Sequence, residues 1–164
     1  MATGEKSVSE AWRRAALDLI HGESTLTLAT ADSTGPWSAP VYFILLDERF
    51  FFFSSPQSRH IRQAIASKET AASLFHQTDA WKSIRGIQMT GSVARIGSVS
   101  ASLKPIAVYL HRFAFTREFF PDDPQPDLKA FFSRFKARLY AFTPIEVYYI
   151  DNRFGLGSRR RIAW

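Results

Sequence analysis

Three apolar runs, "TLTLATAD", "WSAPVYFILLD" and "FFFFSS", follow one another within residues 25–55, parted only by "STGP"-type and "DER"-type turns. That spacing is the strongest constraint on the fold. Parallel neighbours need a crossover of a dozen or more residues, whereas antiparallel strands can be joined by two. Leu26 and Leu28 alternate with threonines, the period of a half-buried strand. Asp, Ser and Gly in "DSTGP" supply side-chain hydrogen bonds and positive φ, the chemistry of a tight turn. The segment is an antiparallel meander.

The remaining chain extends that sheet. Val8, Trp12, Ala15, Ala16, Leu19 and Ile20 share one helical face, which predicts a helix over about residues 7–21, capped by Ser7 or Ser9 and ended by Gly22. A short helix is expected over residues 56–67, with Pro56 at its first position. "TAASLFHQ" and "IRGIQMTGSVARIG" read as a fourth and a fifth strand. Gly86 and Gly91 in the fifth mark a bulge, a bend or a close approach. Residues 98–113 read as helical, with Pro105 starting, kinking or dividing the helix. A loop over residues 121–126 and a short helix over 127–136 capped by Asp127 come next. "ARLYAFTP" and "IEVYYIDN" supply two final strands. The expectation is one domain over residues 1–164, α+β and mainly β, with an antiparallel split barrel of seven strands and flanking helices.

Composition narrows the function classes. There is no cysteine, so disulfides and thiolate metal sites are excluded, and the four histidines His21, His60, His76 and His111 form no HxH or HExxH pair. No metal site is expected. No apolar run reaches the roughly 20 residues of a membrane span, and "MATGEKSVSEAWRR" lacks a signal-peptide core, so a cytoplasmic protein is expected. The net charge of +6 gathers at "WRR", around Arg59 and in "SRRRIAW". Nucleic-acid binders carry denser basic stripes, so nucleic acid ranks last among partners.

The chemistry concentrates in "FFFFSSPQSRHIRQAI", where a greasy strand runs into hydroxyls and cations. A helix starting near Ser55 or Pro56 would present unpaired amides and the positive end of its dipole. Ser54 and Ser58 add hydroxyls, Arg59 a planar fork and His60 a further polar contact, the parts of a phosphate cradle. The alternative is a solvated helix start capped by Ser55. Pro40 on the second strand cannot donate to a ladder, and a strand glutamine such as Gln88, beside Arg85 and Gly86, faces water or a specific partner.

The order "TLTLAT…GPWSAPVYF…FFFFSSPQSRHIRQAIAS…AASLF…IRGIQMTGSVARI" resembles the flavin-binding split-barrel family related to pyridoxamine 5′-phosphate oxidase, in the branch typified by the bacterial protein YhbP. The likeness spans about residues 25–96, and "LYAFTPIEVYYIDN" suits the closing strands. It implies a homodimer that holds flavin mononucleotide (FMN) in two equivalent clefts between subunits. Ser58, Arg59 and His60 fall on the family's phosphate-gripping Ser-Arg-Lys, and Ser54 on a threonine that reaches the flavin. Pro40, Val41 and Tyr42 match the strand that holds the ring, while Arg85 and Gln88 lie on the strand that completes the cleft. Ser38 and Phe43 stand where the oxidase has an arginine and a lysine, and His60 replaces a lysine.

The resemblance therefore implies an FMN-dependent oxidoreductase acting on an unidentified small molecule. The alternatives are a non-catalytic flavin or haem carrier or sensor, with His60, His76 or His111 as axial ligand, or a flavin-free dimeric scaffold. Trp37, Trp81 and Trp164 are expected to pack in an interface.

Overall fold

The computed structural model describes residues 2–119 and 136–164. The seven strands are β1 (Thr25–Asp32), β2 (Gly35–Leu46), β3 (Arg49–Ser54), β4 (Thr70–Phe75), β5 (Arg85–Arg95), β6 (Arg138–Asp151) and β7 (Arg159–Ile162). They form one antiparallel sheet in the order β3-β2-β1-β4-β5-β6-β7, and β3 also pairs with β6, so the ring closes. The α-helices among the described residues are α1 (Ala2–Gly22), α2 (Arg59–Ser67) and α3 (Val99–Arg112). The architecture is the mainly-β split barrel expected from the turn chemistry.

β6 explains the split. Its first half pairs with β3, from Phe50↔Phe142 to Ser54↔Arg138, and its second half pairs with β7, from Val147↔Ile162 to Ile150↔Arg159. Two strands thus share one side of a long third. Trp164 fills the seam between them: its ring stacks on Phe50 at 5.8 Å and its indole N–H donates to the Glu48 carbonyl at 2.8 Å. This tryptophan closes its own barrel.

Several sequence expectations shift. The two final strands are one, because Pro144 lies opposite Gly91, where a bulge between Thr90 and Gly91 already interrupts the ladder. A Cβ at Gly91 would collide with the Thr143 carbonyl oxygen and the Phe142 ring, so the bulge needs glycine. The seventh strand is instead the arginine run Arg159–Ile162, which had no apolar alternation to announce it. Helix α1 starts at Ala2, so Ser7 and Ser9 are interior. Pro105 sits inside an undivided α3. The loop expected over residues 121–126, and the helix expected over 127–136 up to its last residue, lie outside the described residues.

The barrel interior is aromatic and aliphatic. Leu26 and Leu28 of β1, Val41 and Phe43 of β2, Phe50 and Phe52 of β3, and Tyr140 and Phe142 of β6 pack with Trp12, Ala16, Leu19 and Ile20 of α1. Val8, placed on the same helical face by spacing, is exposed. A second cluster joins Ile44, Phe51, Leu139 and Ala141 to Ile106, Tyr109 and Phe113 at α3. No helix among the described residues is long and apolar enough to cross a membrane.

Candidate functional site

β3 ends at Ser54, and a turn carries the chain into α2. The Ser58 N–H donates to the Ser55 carbonyl at 3.1 Å, and the Ser55 hydroxyl accepts from the Gln57 amide at 3.2 Å. This turn holds Pro56, so the helix starts three residues later than expected, with Ser58 as its N-cap. The Ser58 hydroxyl donates backwards to the Ser55 carbonyl at 2.8 Å and makes no capping bond. The first-turn amides of α2 therefore lack a side-chain partner, at the positive end of the helix dipole.

Three of the expected residues meet here. The Ser54 hydroxyl lies 2.8 Å from His60 Nε2 and 3.2 Å from the Ser58 hydroxyl, and His60 Nε2 is 3.4 Å from Ser58. Burial pushes the His60 pKa below its ordinary 6.5, so the ring is neutral at neutral pH.

Arg59 points the other way, onto the β1–β2 turn. One terminal nitrogen donates to the Thr34 carbonyl at 3.0 Å, the Thr34 hydroxyl at 3.1 Å and the Gly35 carbonyl at 3.2 Å. The guanidinium lies 4.8 Å from the centre of the exposed Trp37 ring. Its Nε–H is buried with no hydrogen-bond partner, a costly state for a donor. Gly35 takes φ +104, which lets the turn bring both carbonyls to the arginine.

Gln63, one helical turn beyond Arg59, ties the same hairpin to α2. It is 1 % exposed, accepts from Thr30 at 2.7 Å, and donates to Asp32 at 2.9 Å and the Gly35 carbonyl at 3.1 Å. Asp32 also accepts from the Thr34 hydroxyl and amide, and these bonds lower its pKa. Sequence reading took residues 32–36 as a turn and missed this clamp. The four-residue step from Arg59 to Gln63 was its one local signal.

The expected ring-binding residues lie elsewhere. Pro40 and Tyr42 face outward from β2, while Val41 points into the core and leaves only its backbone for a ligand. Tyr42 packs against Phe113 and Phe115 at 5.3 and 5.2 Å. Ser38 is exposed, but Phe43 is fully buried, and the Arg112 guanidinium lies 5.8 Å from its ring. Arg112 also donates to the His21 and Glu23 carbonyls at the end of α1. Gln88 faces outward on β5, and Arg85 begins that strand opposite Asp151. Pro40 pairs with Thr27, Thr27 with Ser73 and Ser73 with Gln88. Within one chain Pro40 and Gln88 are thus three strand spacings apart, about 14 Å.

On the same outward face, a groove of about 720 Å³ runs between Ala29, Ala71, Thr90 and the Glu146–Arg161 ion pair. It is lined by Gly91, singled out from sequence, but by none of the candidate cofactor-binding residues. Among the described residues no three His, Asp or Glu side chains gather as a metal set.

The family model for pyridoxamine 5′-phosphate oxidase matches residues 13–149, which hold β1 to β5, most of β6 and the α2 turn. The chain belongs to that family. It is 24% identical over 87 residues to the UPF0306 protein PM1958 of Pasteurella multocida strain Pm70, a match covering 52% of this chain and 58% of the relative. The match thus spans little more than half of that relative's length. Among solved structures, HutZ, the haem storage protein of Vibrio cholerae, superposes with a TM-score of 0.62 at 15% identity, covering 80% of this chain and 88% of HutZ. A FAD-binding protein of Mesorhizobium loti gives 0.61 at 12% identity, over 84% and 90% of the two chains. At such identities these two likenesses establish the split-barrel fold that the oxidase family shares.

Proposed function

We propose that this protein binds FMN, its phosphate at the N-terminus of α2, and uses it in redox chemistry on a small molecule. The observation that carries this reading is the pairing of an uncapped helix start with an orphaned, buried Arg59 Nε–H. Both are donors without acceptors, and a phosphate offers several. The residues present therefore fit the group. First-turn amides of α2 and the Ser54 hydroxyl would donate to phosphate oxygens, and the Ser58 hydroxyl would join them on leaving the Ser55 carbonyl. Thr34, Gly35 and Trp37 hold Arg59 on the β1–β2 turn, so its guanidinium would turn back toward Ser54 and Ser58 to bring the Nε–H to the phosphate.

Bound flavin supplies hydride and single-electron transfer, which side chains cannot. The protein's part is to hold the phosphate, present the outward backbone of β2 near Pro40 and Tyr42, and exclude water. Gln88 and Arg85 of one chain are too far from Pro40 to share a ring with it. The reading therefore includes a homodimer, in which a second copy brings those residues to the cleft.

The test is the visible spectrum of the protein after incubation with FMN and removal of the excess. A retained flavin spectrum, lost in Arg59→Ala with circular dichroism unchanged, supports the assignment. A protein that stays colourless rejects it.

A haem carrier is the second reading, favoured by the likeness to HutZ and by the neutral, half-buried His60 imidazole. His76 is engaged by Glu23 at 3.2 Å, and His111 is exposed on α3. A Soret band that shifts on adding haem and is abolished by His60→Ala would select this reading over flavin.

A further inference from the structure

One end of the barrel carries large apolar side chains that nothing in the proposed flavin site uses. The β6–β7 connection exposes Phe154 (61 %) and Leu156 (81 %), on either side of Gly155 at φ +123. The β4–β5 connection exposes Trp81 (52 %) and Ile84 (42 %). The two connections are tied together: Asn152 donates its side-chain amide to the Trp81 carbonyl at 2.9 Å and its backbone N–H to the Ile84 carbonyl at 3.0 Å. Single exposed apolar residues are ordinary, but four on two mutually braced turns are a patch.

The charges around this patch are mainly positive, Asp79 on the β4–β5 connection being the one exposed acid on the two turns. Asp151 is buried and neutralised by Arg153, with bonds of 2.6 to 3.1 Å. Lys82, Arg159 and Arg160 form no ion pair among the described residues. Instead they lie over the rings of Trp81, Tyr148 and Trp12 at 5.6, 4.1 and 5.0 Å. Aromatic support lets a cation stand beside apolar surface with its charge directed to water. An apolar tip ringed by unpaired cations complements a surface that is negative outside and apolar beneath.

We propose that the Trp81–Ile84 and Phe154–Leu156 turns dock this protein onto an anionic phospholipid bilayer, with Lys82, Arg159 and Arg160 meeting the headgroups. Leu156, four-fifths exposed, and the partly exposed indole of Trp81 enter the boundary between headgroups and acyl chains. The three cations add attraction that salt weakens. Docking is peripheral and reversible, since two short turns bury little apolar area compared with a spanning helix. It leaves the α2 turn and the outward face of β2 free, while Arg85, which the flavin reading brings to the cleft, adjoins Ile84.

Co-sedimentation of the full chain with phosphatidylcholine vesicles, with and without phosphatidylglycerol, tests this. The protein is expected to pellet with the anionic vesicles only and to be released by added salt. Phe154→Ser with Leu156→Ser should lower the partition coefficient about tenfold, and Arg159→Gln about fivefold. Phe154 rests on Trp12 at 5.0 Å, so Leu156→Ser alone, whose side chain is almost free, provides a variant whose fold is not at stake. Three outcomes overturn the proposal: no association with anionic vesicles at low salt, association unchanged by the apolar substitutions, or a smaller oligomer in Leu156→Ser. The last would assign the patch to a second copy of the chain.

Discussion

Arg59 and Arg153 both follow the end of a barrel strand, and their surroundings differ in one respect. Arg153 wraps a buried carboxylate: its Nε and a terminal nitrogen reach Asp151 at 2.9 and 2.6 Å, and its backbone N–H adds a third bond at 3.0 Å. Among the described residues no carboxylate lies within ion-pair distance of Arg59, although Asp32 is near enough to feel its charge. Arg59 is held through one terminal nitrogen by the carbonyls and hydroxyl of a turn, and its Nε–H is unpartnered. The first arrangement closes a structural corner, and the second leaves one guanidinium donor without an acceptor. An arginine's role is thus read from the donors it has left over.

The largest effect expected from this contrast is on stability. Asp151→Ala leaves the buried Tyr149 hydroxyl without its 2.9 Å acceptor and strips Arg153 of its partner. Because half of Arg153 can turn to water, the loss should fall at the low end for a broken buried pair, about 3 kcal/mol. A urea midpoint lowered at constant slope would show it, while flavin retention should be unchanged. Burial alone would raise the Asp151 pKa, but the bonds from Arg153 and Tyr149 more than offset that and hold it below 3.8. A depressed carboxyl stabilises the fold above its unfolded value and loses that contribution as pH falls through the folded one. The variant should therefore lack part of the wild-type acid transition below pH 3.8.

Arg59→Ala should do the reverse. Losing charge-assisted contacts costs about 1.5–3 kcal/mol of phosphate binding, roughly 10- to 150-fold in the FMN dissociation constant, and little stability. Isothermal titration beside a thermal melt separates the two quantities. If Arg59→Ala unfolds the protein instead, the turn clamp is structural and the contrast with Arg153 disappears.

Gln63→Leu sharpens the point, because the side-chain hydrogen bonds of Gln63 go to the hairpin. Removing its bonds to Thr30, Asp32 and Gly35 should cost about 1–2 kcal/mol of stability. It should also weaken FMN binding by a smaller factor than Arg59→Ala, since the acceptors that orient Arg59 then move. Unchanged FMN affinity would show that Arg59 needs no positioning.

The sequence disclosed these features unevenly, for physical reasons. The meander from β1 to β3 was legible because turn chemistry and side-chain alternation are local. β7 was not, since three arginines carry no strand period and only Ile162 faces the core. Pro144 looked like a strand break because the bulge that tolerates it is supplied by Gly91, more than fifty residues earlier. At the site, Ser54, Ser58 and His60 are close in the chain and meet as expected. The partners of Arg59 are 24 and 25 residues away, on a hairpin whose own sequence indicates only a turn. Gln88 was placed by resemblance in a cleft between subunits, which a single barrel, with Gln88 three strands from Pro40, does not test.

The smallest expected effect, and the most diagnostic, belongs to His60. Its imidazole is half-buried, and burial lowers its pKa from the unfolded 6.5. Below that value the unfolded chain binds a proton that the folded chain resists, so the residue makes the free protein less stable as pH falls from 6.5 toward its folded pKa. A phosphate at the α2 N-terminus reverses the sign, because an anion favours the imidazolium and raises its pKa. FMN affinity should therefore increase modestly on acidification below pH 6.5, while the thermal stability of the flavin-free protein decreases over the same interval. His60→Asn keeps a polar group near Ser54 but cannot titrate, so it should flatten both trends. Titrations with and without FMN across that interval would show opposite slopes if the anion sits beside His60. Parallel slopes would place it elsewhere, and Arg59 would then have no more claim to the phosphate than Arg153.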